Sequence, residues 1–116
     1  MKSIVYDKSF TFAIRIVNLY KYLYENKKEY IMSKQLLRSG TSIGANIKEA
    51  LQAQSKKDYL SKMNIALKEA SETEYWLNLL IETKYIEEHS MSILEDCIEL
   101  NKMLISIVKT TKNSLA

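Results

Sequence analysis

Apolar residues recur along the chain in four blocks with the three-and-four spacing of helices. In the first, from about Ser9 to Glu25, Phe12, Ile16, Leu19, Tyr20 and Leu23 stand at i, i+4, i+7, i+8 and i+11. Phe10, Ala13, Ile14 and Val17 widen that stripe, so this helix is expected to bury more than one side. The polar run from Glu25 to Glu29 predicts a turn. The second block, from about Ser33 to Gln52, carries Leu37, Gly40, Gly44, Ile47 and Leu51, with Leu36, Ile43 and Ala50 on the same broad face. Ser55 followed by Asp58 predicts a capped start to the longest helix, which runs to about Thr83. Tyr59, Met63, Ala66, Ala70, Thr73, Leu77 and Leu80 form its heptad seam, and Leu60, Leu67 and Ile81 form a second stripe interrupted at Glu74. The last block opens near Ser90 or Ser92, where Ser92 with Glu95 reads as a capping box. Leu94, Cys97, Asn101, Leu104 and Val108 follow, and the polar end beyond Lys109 is expected to fray. Four amphipathic helices with short connections predict an all-α, antiparallel up-and-down four-helix bundle formed by one domain over residues 1–116.

Gly40 and Gly44 are the only glycines, in a chain without proline. Each should cost a helix interior roughly 1 kcal/mol relative to alanine, so the pair weighs against a total stability of about 5 to 15 kcal/mol. Both fall inside the apolar arc of the second helix, and the expected compensation is close approach of another backbone: a packing notch. Asn46, at the edge of that arc, is placed to cap loose backbone, to bond across the bundle, or to stand half-exposed.

Composition narrows this picture without changing it. With 47% hydrophobic and 27% charged residues, the 116-residue chain has a globular balance, and the scarcity of turn residues argues against a β fold. No stretch approaches a bilayer span, and Asp7, Lys8 and Arg15 break the start of the chain as a signal core, so a cytoplasmic protein is expected. Charge is uneven: residues 1–57 hold 11 Lys and Arg against 4 Asp and Glu, residues 58–116 hold 6 against 10. A basic half suits a nucleic-acid surface or a head-to-tail contact between subunits.

Catalytic inventory is thin. His89 is the only histidine and reads as a solvated loop residue; Ile86 three positions before it removes a Glu-x-x-His motif, so no metal site or cofactor is expected. Cys97 next to Ile98 reads as a buried thiol. Glu69, Glu72 and Glu74 read as an ordinary solvated helix face near Lys62 and Lys68. The glycine pair lacks the lysine and strand of a phosphate loop. A non-enzymatic protein follows.

The segments QLLRSGTSIGANIKEA and SKKDYLSKMNIALKEASETEYWL resemble the family of four-helix-bundle proteins encoded within intervening sequences of bacterial 23S ribosomal RNA genes, over nearly the whole chain. Gln35, Leu36, Arg38, Ser42, Ile43, Asn46, Ile47 and Glu49 carry the likeness in the second helix, and Ala66, Glu69, Glu74 and Leu77 in the third. Gly40 and Gly44 stand where that family often has small residues, glycine itself being a departure. The resemblance implies a homopentamer. It extends to the accessory variability determinant of diversity-generating retroelements, a basic pentamer that binds nucleic acid and a reverse transcriptase.

Two functions are compatible with these residues. In one, an oligomer binds RNA or DNA through Lys21, Lys27, Lys28, Lys34, Arg38, Lys48, Lys56 and Lys57, with Tyr20, Tyr22, Tyr24 and Tyr30 interleaved to stack on bases. In the other, the bundle is an assembly scaffold for a protein partner, with the second helix and Trp76 as contacts.

Overall fold

The computed structural model describes residues 3–87 and 91–115. Four helices follow one another: α1 (Ile4–Glu25), α2 (Met32–Leu51), α3 (Lys56–Glu82) and α4 (Met91–Leu115). Cross-helix pairs give their sense. Gly44 meets Ser9 and Gly40 meets Ile16; Arg38 meets Glu69, and Glu49 meets Lys62; Lys8 meets Glu99, and Arg15 meets Asp96. In each pair of helices one number rises as the other falls, so neighbours are antiparallel. Each helix packs on the next, and α1 closes lightly on α4, in a body of 47 × 23 × 20 Å.

The core lies along the axis, where the heptad stripes meet. Phe12, Ile16 and Leu23 of α1, Leu36, Ile43 and Ile47 of α2, Met63, Leu77 and Leu80 of α3, and Leu100 and Leu104 of α4 are fully enclosed. The seam read on α3 is buried from Met63 to Leu80, with Tyr59 half-buried at its start. All five residues named on α4 are buried.

Several local expectations need correction. Helix α1 starts at Ile4 rather than Ser9, because Ser3 caps it: its Oγ accepts from the Tyr6 N–H at 3.2 Å. Ser9 is instead a buried residue of the α1–α2 seam. Phe10 and Ile14 do not add a buried side; they are 56% and 51% exposed. On α2 the buried stripe runs through Leu36, Gly40, Ile43 and Ile47, while Leu37 is half-buried and Leu51 exposed. Ser92 does not cap α4; it lies inside the first turn, accepting from Arg15 Nη2 at 2.8 Å. The end of α4 does not fray at Lys109 but stays helical to Leu115, with the Thr111 hydroxyl donating to the Ile107 carbonyl at 2.7 Å. His89 and Ser90 lie outside the described residues.

Candidate nucleic-acid interface

The eight basic residues singled out in the sequence do not converge on one surface. Helix direction divides them. Lys21 in the last turns of α1, Lys27 and Lys28 in the connection, and Lys34 in the first turn of α2 gather at one end of the bundle. Lys48 near the end of α2, with Lys56 and Lys57 opening α3, gather at the other. Arg38 belongs to neither group. It is held by two carboxylates of α3, by Glu69 at 3.1 Å and more closely by Glu72. Trp76 Nε1 donates to the same Glu72 at 2.9 Å. Hydrogen bonds from Trp76 and Arg38 hold the Glu72 carboxyl below its usual range, and the Glu72 bond raises the Arg38 guanidinium in turn. Arg38, not Lys62 or Lys68, therefore neutralises this acidic face; Lys62 pairs with Glu49 at 3.1 Å.

The end at the α1–α2 corner carries more than charge. Tyr22, Tyr24 and Tyr30 are exposed there, the last two by 48% each. Tyr24 stands edge-on to Tyr30 with ring centres 4.8 Å apart, and Tyr20 lies 5.8 Å from Tyr24. Lys27 Nζ sits 6.0 Å from the Tyr22 ring centre. Only Glu25 and Glu29 oppose the lysines in sequence, and Glu29 is engaged elsewhere.

Glu29 is the residue the sequence reading missed. It is buried, and its carboxylate accepts from the backbone N–H of Ile31, Met32 and Ser33 at 3.3, 3.1 and 2.7 Å. The Ser33 hydroxyl returns a bond to the Glu29 carbonyl at 2.7 Å. A carboxylate here supplies the acceptors that the free N–H groups of α2 need, because Ile31 at the cap position has no side chain able to do so. Its own N–H donates to the Leu23 carbonyl at 3.0 Å, tying the connection back to α1. Lys28 is held between these anchors with φ of 54°, the left-handed conformation. A glutamate four residues before a buried serine at a helix start was the available signal.

The far end is plainer. Lys48 Nζ lies 5.4 Å from the Tyr6 ring centre, at the mouth of a shallow apolar groove of about 270 Å³ between α1 and α2 that also meets Phe10, Ala13 and Ala45. Along α1, Tyr6, Phe10, Ala13, Val17, Tyr20 and Tyr24 recur at four and three, so this groove face continues toward the tyrosine corner. Gly44 lines it, and Gly40 faces the core beneath. A Cβ on Gly40 would stand 2.8 Å from Ile16 Cγ2, and one on Gly44 3.1 Å from Ser9 Oγ, so the bare backbone is what lets α2 lie this close to α1. Asn46 bonds back to the Ser42 carbonyl of its own helix at 2.9 Å and not across the bundle.

Between α1 and α4 the surface has the opposite sign: Asp7, Asp96 and Glu99 line a cleft of about 360 Å³ with Lys8. Cys97 is enclosed, and burial first, then Glu74 and Asp96, push its thiol up to about 12, so it supplies no thiolate. Among the described residues, no three His, Cys, Asp or Glu side chains gather where they could hold a metal ion. No helix among them is long and apolar enough to cross a membrane.

The model of the 23S rRNA-intervening sequence protein family matches residues 1–106. The chain belongs to that family. A crystal structure of a protein with unknown function from the S23 ribosomal protein family of Bacteroides thetaiotaomicron is 64% identical, superposes with a TM-score of 0.90, and covers 91% of this chain and 99% of its own. No curated protein matches the chain. The intervening-sequence family match ends before the last turns of α4, which with Tyr59, Lys56 and Leu51 line a further cleft of about 480 Å³.

Proposed function

We propose that this member of the 23S rRNA-intervening sequence family is a non-enzymatic, self-associating bundle that binds nucleic acid at the α1–α2 corner. One observation carries the reading: the lysines and exposed tyrosines of residues 20–34 are held together at that corner, on a connection fixed by Glu29. Lysines neutralise phosphates and release counterions, and aromatic faces take bases. Lys56 and Lys57 at the far end have no exposed tyrosine beside them other than half-buried Tyr59, so they supply charge alone.

Self-association has separate support. Ile4, Phe10 and Ile14 leave large apolar surface on α1, with Ile4 65% exposed. The family resemblance implies a homopentamer, and a ring of five requires two different patches that meet head to tail. The basic residues 1–57 and the acidic residues 58–116 offer two such patches. On this reading the setting is cytoplasmic, where a lone reduced cysteine is ordinary. Protein scaffolding without nucleic acid is the alternative, and the same experiment separates the two. Titration of a labelled oligonucleotide at stepped salt should give a log–log slope between about −3 and −4 per protomer if four lysines meet phosphates. Absence of binding at low salt contradicts the nucleic-acid reading, and a monomeric native mass contradicts the assembly.

A further inference from the structure

We propose that the α1–α2 corner takes single-stranded polynucleotide in preference to duplex, with bases stacked on Tyr24 and Tyr30 and the backbone drawn along Lys27, Lys28 and Lys34. This rests on the nucleic-acid reading above and narrows its substrate.

Three features decide for single strands. The first is what the tyrosines offer. A ring binds a base through its face, and in a duplex those faces are already stacked on neighbouring pairs. Tyr24 and Tyr30 are half-exposed and packed edge to face, so at least one ring face is available without intercalation. The second is the state of the arginines. The chain has two arginines, Arg15 and Arg38; the first is bound to Asp96 at 2.5 Å and Ser92, the second to Glu69 and Glu72. Neither is free for the bidentate contact to a guanine edge that commonly reads a major groove. The corner's cations are lysines, flexible point charges that hold phosphates without the planar fork with which arginine fixes a base edge.

The third is shape. Reading a duplex by helix needs a helix able to enter a groove about 12 Å wide. Here the last turn of α1 and the first turn of α2 are packed in the bundle, and the connection between them, residues 26–31, is short and tied down at both ends. It is a blunt corner with aromatic faces on its flank. A flexible strand can drape over it. Because Glu29 holds the connection and Lys28 keeps its left-handed backbone in that hold, little ordering remains to be done when a strand arrives. The recognition is accordingly tolerant of sequence, with ribose and deoxyribose strands sharing the chemistry of stacking and phosphate contact.

The test uses the full chain in its native assembly at one low salt concentration, with four probes of about 20 nucleotides or base pairs: oligo-U, oligo-dT, an RNA duplex and a DNA duplex. The expected result is single strands bound roughly 10-fold or more tighter than either duplex, and a further loss of about 5-fold or more per ring on single strands alone in Tyr24→Leu/Tyr30→Leu. Tyr24→Phe/Tyr30→Phe should retain binding, since the ring face and not the hydroxyl makes the contact. Preference for one of the two single strands supports the inference and identifies the source. Duplex bound as tightly as single strand, or a leucine variant that melts normally and loses nothing, overturns the single-strand inference and leaves the nucleic-acid reading standing. If none of the four probes binds, both fall.

Discussion

The two long seams of α2 solve the packing problem in opposite ways. Against α1, α2 presents bare backbone: Gly40 receives Ile16 and Gly44 receives Ser9. Against α3, α2 presents polar ties. The buried Ser39 and Thr73 hydroxyls bond to each other at 2.9 Å, Thr73 Oγ1 donates to the Glu69 carbonyl at 2.7 Å, and Arg38 bridges Glu69 and Glu72 outside them. A seam of ties fixes register and absorbs the charges that lie over it. A seam of close approach leaves its flanking residues uncommitted, and those residues form the tyrosine–lysine corner and the apolar groove. The aromatic and apolar surface exposed along α1 thus lies beside the seam packed by close approach.

The most severe way to break the contrast is Gly44→Leu. Its Cβ already meets Ser9 Oγ at 3.1 Å, so a branched side chain forces the α1–α2 contact apart at this point. A loss of about 3 kcal/mol or more, or failure to fold, is expected in denaturant unfolding. A stable, fully helical G44L protein would show that the notch is dispensable.

Breaking the other seam costs less. Thr73→Val removes the 2.9 Å partner of the buried Ser39 hydroxyl and leaves it only the long 3.5 Å bond to the Leu36 carbonyl, which should cost about 1 to 2 kcal/mol. Adding Ser39→Ala should recover part of that, because it removes the hydroxyl that Thr73→Val leaves weakly bonded. Equal or greater loss in the double variant would mean that packing, not hydrogen bonding, holds α2 to α3.

A finer probe separates steric from intrinsic effects at the notch. In Gly44→Ala the new Cβ meets Ser9 Oγ at 3.1 Å, and its strain works against a helix-propensity gain of roughly 1 kcal/mol. With Ser9→Ala already in place, the remaining neighbour is Cβ at 3.6 Å, an ordinary contact. Gly44→Ala should therefore stabilise the Ser9→Ala background by about 0.5 to 1 kcal/mol more than it stabilises the wild type. Additive melting shifts would contradict that coupling.

The smallest expected effect lies away from both seams. Lys84 follows the end of α3 with φ of 65°, while the Tyr85 N–H donates to the Leu80 carbonyl at 2.9 Å across it. That is a left-handed helix stop occupied by lysine, so Lys84→Gly should raise stability by up to about 1 kcal/mol.

Much of this architecture was legible because a long amphipathic helix announces its core face through spacing alone. The α3 seam from Met63 to Leu80, with its Ser55 cap, and the α4 stripe from Leu94 to Val108 were read from periodicity and are buried as read. The glycine notch was legible too, since two mid-helix glycines in an apolar arc need close approach to offset their cost. What failed was phase and ends. Phe10 and Ile14 look the same in sequence as core residues, and only the placement of α2 and α4 around α1 leaves them outside. Ser92 fits a capping pattern yet serves Arg15, because α4 starts one residue earlier. The basic half was visible in sequence, but its division between opposite ends of a bundle follows from helix length and direction. Glu29 was hidden for a different reason. Its capping role depends on a connection folding back to bring one carboxylate over three N–H groups, and no periodicity reports that.

The sharpest measurement compares the two basic ends directly. Oligonucleotide affinity at low salt is measured for Lys27→Glu/Lys28→Glu and, separately, for Lys56→Glu/Lys57→Glu, each with native mass recorded to show that the assembly is intact. Both variants change net charge equally, so a non-local charge effect lowers both alike. Loss of roughly 10-fold or more at the α1–α2 corner, against a change of only about 2- to 3-fold at the α3 start, is expected if the tyrosine-bearing corner is the binding surface. Equal losses, or a larger loss from the Lys56/Lys57 pair, would contradict it.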